Sequence, residues 1–257
     1  HASYRRQRQM CIRDSHRSIR RFEDRPLPKG LVEELVTCGQ SASTSSNLQA
    51  YSVIEVSDPK RKKVLAELCA DQVQIHQSPT FLVFCADLNR DRLAGQLHGV
   101  ENFDSDYVEA LLIATVDAAL VLQNVALAAE SHGLGICMIG AIRIHPKAVG
   151  KLLNLPPLVY AVAGLCLGYP AKDQQQKPRL PLETILHHEQ YPDDDQQINL
   201  IKGYDQTMVE FYSSQAMHDK DPRWSKVMAA RTARFHERAE LDEYLSDQGF
   251  HFKSSTP

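Results

Sequence analysis

Residues 107–142 read YVEALLIATVDAALVLQNVALAAESHGLGICMIGAI. Tyr107–His132 is apolar on nearly every helical face until Glu130, with Asp106 ahead of it as a cap and Gly133 as its stop. A helix of that kind is buried on all sides, inside a large domain or between subunits, and for part of this one the subunit boundary is the preferred reading. Ile136–Ile142 then reads as an apolar strand. A buried helix feeding a buried strand through glycine sets the core against which the rest is placed.

Working outward, Tyr51–Val56 and Phe81–Ala86 read as strands, the second (FLVFCA) as a central one because it is apolar without alternation. Pro146–Asn154 is a short helix stopped by Pro156–Pro157, and Leu158–Leu167 is a strand ending in Gly168-Tyr169-Pro170. Upstream helices are expected over Tyr4–Arg20, over Lys29–Ala42 opened by Pro28, and over Pro59–Cys69. Leu88–Ser105 is polar and reads as a mobile surface insertion. After Pro192 come two polar amphipathic helices, Gln197–Gln215 and Arg223–Gln248. Helices and strands mix without a regular βαβ beat, so the expected class is α+β, not doubly wound. The expected organisation is a core over 1–191 and a C-terminal helical extension over 192–257.

The 257 residues suffice for a substantial core, and 43% hydrophobic with 24% charged is ordinary for a soluble globular chain. A net charge of −3, from 29 basic and 32 acidic residues, gives no field that invites nucleic acid. Six cysteines contain no CxxC, and Cys85, Cys137 and Cys166 sit in apolar runs, which reads as a reducing interior. The longest apolar run, Leu111–Val125, is broken by Asp117 and Gln123–Asn124, and reads as too short and too polar to span a bilayer. No secretory leader is visible. The expected location is therefore cytoplasmic, with no membrane partner.

Several chemistries fail on pattern. Gly133-x-Gly135 followed by Gly140 is not a dinucleotide fingerprint, and it follows a helix instead of opening one. There is no GxxxxGK[ST], no GxSxG and no HExxH. His187 and His188 are adjacent and cannot both face one metal on a regular element, so no metal site is expected.

What remains is polar and local. His16–Phe22, HRSIRRF, packs three arginines, a histidine and a serine ahead of the turn-forming EDRPLP. Guanidinium forks match phosphate oxygens in pairs, and a hydroxyl adds a further hydrogen bond. A solvated basic helix end is the plainer alternative. A second basic cluster, Lys177 and Arg179, lies in the extended QQQKPRLP of 174–181. Between them, Ser41–Gln49 (SASTSSNLQ) is a hydroxyl-rich loop, either a solvated turn or a set of donors for a heteroaromatic ring.

The ordered set HRSIRRF, STSSNLQ, DQVQ, ESHGLGICMIG, GLCLGYP and KPRLP resembles the flavin-dependent nitroreductase superfamily. The nearest relatives in kind are the oxygen-insensitive NADPH nitroreductases and the NADPH-flavin oxidoreductases. The resemblance implies an α+β fold with a mixed central sheet flanked by helices. It also implies an intertwined homodimer with two FMN sites at the interface, each lined by both chains. By position it implies that His16, Ser18, Lys177 and Arg179 hold the flavin phosphate, with Arg17 in the polar shell around phosphate and ribityl chain. Arg20 would lie at the N1/O2 side of the ring. Thr44, Ser45 and Gln72 would bond ribityl or ring atoms, and the Ile139–Gly140 backbone would approach N5 and O4. Ser46 and Asn47 would face the substrate.

The implied activity is two-electron transfer from NADPH or NADH through FMN to nitroaromatic, quinone or flavin acceptors, by a ping-pong mechanism with no catalytic side chain. The alternative is a non-catalytic flavin-binding or sensor protein using the same pocket. One position departs from the relatives: after the aromatic pair Phe211–Tyr212, where they carry an arginine for the nicotinamide nucleotide, this chain has Gln215. Lys220, Arg223, Arg231 and Arg234 are nearby cations that could stand in.

Overall fold

A computed structural model of the chain describes residues 16–100, 103–172, 174–215 and 221–251. They form two compact units, one from 16–174 with 238–251 and one from 175–237. The composition shift at Pro192 falls inside the second.

The first unit is built on a four-stranded sheet in the order β1-β2-β4-β3. The strands are β1 (Tyr51–Val56), β2 (Thr80–Asp87), β3 (Gly135–Ile139) and β4 (Val159–Gly168). Every residue of β2 is buried, as expected of a central strand without alternation. All three strand pairings are antiparallel, so the mixed sheet expected from the resemblance is corrected. The parallel component is a single bridge, Ser18 to Ile136, on the free side of β3. It also corrects the expected Tyr4–Arg20 helix: residues 16–20 are not helical, because the Ile19 N–H donates to the Ile136 carbonyl at 2.8 Å. The rest of that helix lies outside the described residues.

Helices cover both faces of the sheet. On one side α1 (Leu31–Gly39) and the long core helix, Val108–Ser131, pack on Leu82, Phe84, Leu165 and Leu167. On the other side α2 (Pro59–Leu68), α3 (Val73–Gln77) and the helix Pro146–Leu153 enclose Phe81, Val83 and Cys166. Between β2 and the core helix, the polar segment 88–105 contains α4 (Asn89–Gln96), so it is not all loop. Asp87 caps α4 through the Asn89 N–H at 3.1 Å, and Arg90 donates to the Gln49 and Tyr51 carbonyls at 3.1 Å each. In chain order the core helix is α5 and Pro146–Leu153 is α6.

By length and composition α5 could cross a membrane, with mean hydropathy 1.9, which corrects the sequence estimate for Leu111–Val125. Here it is the helix that packs on β2, β4 and α1.

The expected Arg223–Gln248 helix is three pieces: α8 (Trp224–Thr232), a 3₁₀ turn (Phe235–Arg238) and α9 (Glu240–Asp247). Of these, α9 returns to the first unit and docks on α6. A Cβ at Gly150 would lie 2.3 Å from the Tyr244 hydroxyl, so this approach requires glycine. Lys147 closes the contact with Glu243 at 2.8 Å and Asp247 at 3.1 Å.

The second unit holds α7 (Asp194–Ser213) and α8. Asp193 caps α7 through the Gln196 N–H at 2.8 Å. Asp205 holds α8 to it by accepting from the Ser225 N–H at 2.8 Å, and Tyr204 meets Trp224 edge to face at 5.9 Å.

Candidate functional site

The bridge between Ser18 and Ile136 lays the basic stretch along the free edge of β3. Alternation sends Ile19 inward, 4% exposed, and Ser18 and Arg20 to the other side. Gly135 is required here, because a Cβ on it would stand 2.7 Å from Ile19. The pairing is parallel, so the chain runs from His16 to Arg20 in the direction in which β3 runs from Gly135 to Ile139. Burial raises the Cys137 thiol, and the Arg20 guanidinium is near enough to oppose that rise. From Ile136 to Gly140 the strand advances about 13 Å at roughly 3.3 Å per residue.

At the start of this strip, His16 Nδ1 lies 2.6 Å from Glu130 Oε1, on the last turn of α5. Arg17, Ile19, Glu130 and Pro170 line a cavity of about 170 Å³ with Gly133–Gly135. At the far end, Gly140 opens a 3₁₀ turn. Nothing in the protein fold demands glycine there: its φ is not positive, and a Cβ would meet only the tip of Arg143 at 3.5 Å. Gly135, Gly150 and Gly164 are explained by their own neighbours. At Gly140 a Cβ would make no more than ordinary contact, so the protein's own packing does not account for a glycine at the end of β3.

The hydroxyl loop is more structured than a solvated turn. Ser45–Asn47 is a 3₁₀ turn, and Ser46, Asn47 and Gln49 have φ of 48°, 59° and 54°. A non-glycine residue in the left-handed region costs about 1–2 kcal/mol, so three of them in four positions must be held from outside. Asp117 holds them. The Ser45 N–H donates to its Oδ1 at 3.0 Å and the Ala50 N–H to its Oδ2 at 3.1 Å. Sequence reasoning treated Asp117 only as an interruption of an apolar run. The available signal was the carboxylate itself: buried in a helix with no cation nearby in sequence, it must be paired through space.

The remaining expected residues fall elsewhere. Gln72 caps α3, and its amide is engaged locally, donating to the Cys69 carbonyl at 3.0 Å and accepting from Gln74 at 2.5 Å. Lys177, Arg179 and Gln215 belong to the second unit. Lys177 stands over the Tyr212 ring at 5.5 Å, Tyr204 donates to the Pro178 carbonyl at 2.8 Å, and the Gln215 amide turns back to the Phe211 carbonyl at 3.4 Å. Neither Lys177 nor Arg179 has a carboxylate partner among the described residues. No group of three or more potential metal ligands occurs among the described residues.

A strip of basic and hydroxyl groups running toward Gly140, beside a helix-covered antiparallel sheet, fits an elongated anionic cofactor better than a metal or a nucleophile. Comparison with known proteins agrees. Residues 14–169 match the nitroreductase family and residues 177–253 match the nitroreductase family C-terminal domain. The chain belongs to the nitroreductase family. It is 38% identical over 236 residues to a Bacillus subtilis protein named FMN reductase (NAD(P)H), covering 91% of this chain and 94% of that protein. Among solved structures, B. megaterium NfrA2 superposes with TM-score 0.92 at 36% identity, over 96% of this chain and 99% of that one. The NADPH:FMN oxidoreductase from Vibrio harveyi, solved with NAD+, superposes with TM-score 0.84 at 33% identity, over 94% of this chain and 98% of that one.

Proposed function

We propose that this protein is an FMN-dependent NAD(P)H oxidoreductase of the nitroreductase and flavin-reductase type, reducing nitroaromatic, quinone or flavin acceptors. The observation that carries the reading is the parallel run of His16–Arg20 beside β3, ending at a glycine the fold itself does not need. That order matches a cofactor with a phosphate at one end and a ring at the other. His16 and Ser18 take the phosphate with Arg17 in the surrounding shell, Arg20 places positive charge by the N1/O2 edge, and the Ile139–Gly140 backbone lies against N5 and O4. The reading adds Lys177 and Arg179 to the phosphate, supported by their match to the family motif and their lack of a carboxylate partner among the described residues. Thr44, Ser45 and Gln72 bond ribityl or ring atoms, while Ser46 and Asn47 face the acceptor and Gln215 the nicotinamide nucleotide. When bound, FMN supplies the hydride chemistry, alternately reduced by NAD(P)H and oxidised by the acceptor. The chain supplies orientation and charge.

The active form in this reading is an intertwined homodimer. Its support is a stripe of Val108, Leu112, Val116 and Leu120, spaced four apart along α5 and each at least 42% exposed. An apolar row of that length is a surface that soluble monomers rarely leave open. A cytoplasmic setting accords with free, largely buried thiols. The test is direct: the purified protein, or protein reconstituted with FMN, is expected to hold one FMN per chain and to oxidise NADPH with a quinone. Protein that carries no flavin and takes up none overturns the assignment. Flavin binding without turnover favours the non-catalytic reading.

A further inference from the structure

We infer that Asp117 is a positioning residue for acceptor reduction, a carboxylate set in the core helix to fix the loop that carries Ser46 and Asn47. This rests on the proposed function for what the loop faces. The clamp itself stands on geometry.

Between Glu109 and Glu130, Asp117 is the one acidic side chain on α5. It is 1% exposed, with Ala114, Ala118 and Val121 as its helical neighbours, all fully buried. Packing alone is served there by an apolar side chain, and an unpaired carboxylate in such a place is strongly unfavourable. Both of its oxygens are used, and both on the same loop, through the N–H groups of Ser45 and Ala50. Those two donors bracket Ser46, Asn47 and Gln49, the left-handed residues. Asp117 therefore closes the loop at its two ends from beneath. The side chains of Ser46 and Asn47 stay exposed on its outer surface.

Residues held in sparsely populated backbone regions persist only where the surroundings over-determine them. Three backbone bonds support it among the described residues: the Leu48 N–H to the Ser45 carbonyl and the Tyr51 N–H to the Gln49 carbonyl, both at 2.8 Å, and the Asp87 N–H to the Ala50 carbonyl at 3.0 Å. The first two are local, and the third ties only the Ala50 end to β2, leaving Ser45 to Asp117. Arg90 reaches the Gln49 carbonyl from the side, but it is an exposed partner. The buried side chain that ties both ends is Asp117. Loosening it leaves the basic strip beside β3 untouched, so phosphate binding is spared and the loss falls on the loop, Ser45 included.

The experiment compares wild type, Asp117→Asn and Val125→Ala. The amide replaces one acceptor by a donor, so one of the two N–H groups loses its partner. Val125 is fully buried two turns further along the same helix, has no hydrogen-bonding side chain, and controls for lost stability. Amide hydrogen exchange should show faster exchange across 45–50 in Asp117→Asn and not in Val125→Ala. In FMN-loaded protein, well below each melting temperature, Asp117→Asn should raise KM for 1,4-benzoquinone about tenfold. The rate of flavin reduction at saturating NADPH should change less than the quinone KM does. If Asp117→Asn does not fold, amide exchange of the wild type decides: the Ser45 and Ala50 N–H groups should exchange slowly, and rapid exchange at both overturns the clamp. Equal effects of Asp117→Asn and Val125→Ala, or an unchanged quinone KM with unchanged exchange, overturn the inference. Wild-type protein without FMN overturns the proposed function instead, while the exchange comparison still decides whether the clamp exists.

Discussion

Glu130 and His16 meet at 2.6 Å across 114 residues of chain, joining the last turn of α5 to the start of the basic strip. The carboxylate fixes the imidazole by its Nδ1 edge and leaves Nε2 for another partner.

The first prediction follows from that contact. Glu130→Gln keeps the shape but turns a charge-assisted hydrogen bond into a neutral one, a loss of about 1 kcal/mol or more. FMN affinity should fall roughly fivefold to tenfold, read as Kd by fluorescence quenching on apoprotein. An unchanged or tighter Kd would show that the ring does not need this support.

The second concerns assembly. Leu112 and Val116 are 50% and 51% exposed on one side of α5, one helical step from buried Asp117. Leu112→Glu puts a charge into the middle of the apolar stripe. Light scattering should find a dimer for wild type and a monomer for the variant, with reduced flavin content. A wild-type monomer that keeps its FMN, or a variant that stays dimeric with full flavin, sinks the idea.

Strand β1 was readable residue for residue, because Tyr51–Val56 carries its own pattern, and the core helix was readable from its continuous apolar composition. What escaped was decided at a distance. The charged residues 16–20 look helical in isolation and are instead tied to Ile136. Asp117 looks like a flaw in an apolar run until its partners, 72 and 67 residues away, are known. The exposed stripe of α5 was hidden for the opposite reason: its residues are as apolar as those facing the core, so periodicity could not separate the two faces. Lys177 and Arg179 were found by resemblance alone, since two cations in a proline-rich segment carry no geometric signal.

The third prediction is a pH dependence. Cys69 and Cys85 are fully buried, and burial pushes both thiols from the usual 9.0 up to about 12. The folded chain thus keeps protons that the unfolded chain releases. That stability is fully present below about pH 9 and is lost as pH rises toward 12. The slope is about 1.4 kcal/mol per pH unit for each thiol. Urea midpoints under reducing conditions should fall from pH 9 to 10.5, and Cys85→Ala should fall less steeply. Parallel slopes would assign the alkaline loss to other groups.

The last prediction concerns the choice of nicotinamide. Gln215 lies just past the end of α7 with its amide turned to the Phe211 carbonyl, and a neutral amide cannot make the charge-assisted forks of an arginine to phosphate. Of the cations that could replace it, Arg223 is locked on Asp221, with Nε 3.0 Å from each carboxylate oxygen, and holds that carboxyl well below its ordinary range. Arg234 is tied to Glu237 at 2.6 Å. Lys220 lies outside the described residues. Arg231 has no carboxylate partner among the described residues, so it is the cation left for a 2′-phosphate. The enzyme should therefore use both NADPH and NADH, with only a modest preference for NADPH. Gln215→Arg should raise kcat/KM for NADPH by about one to two decades, from roughly 1.5–3 kcal/mol of added contact. Arg231→Ala should lower kcat/KM for NADPH and leave NADH nearly unchanged. A native preference above about a hundredfold, indifferent to both substitutions, would mean that the 2′-phosphate is read by a different group.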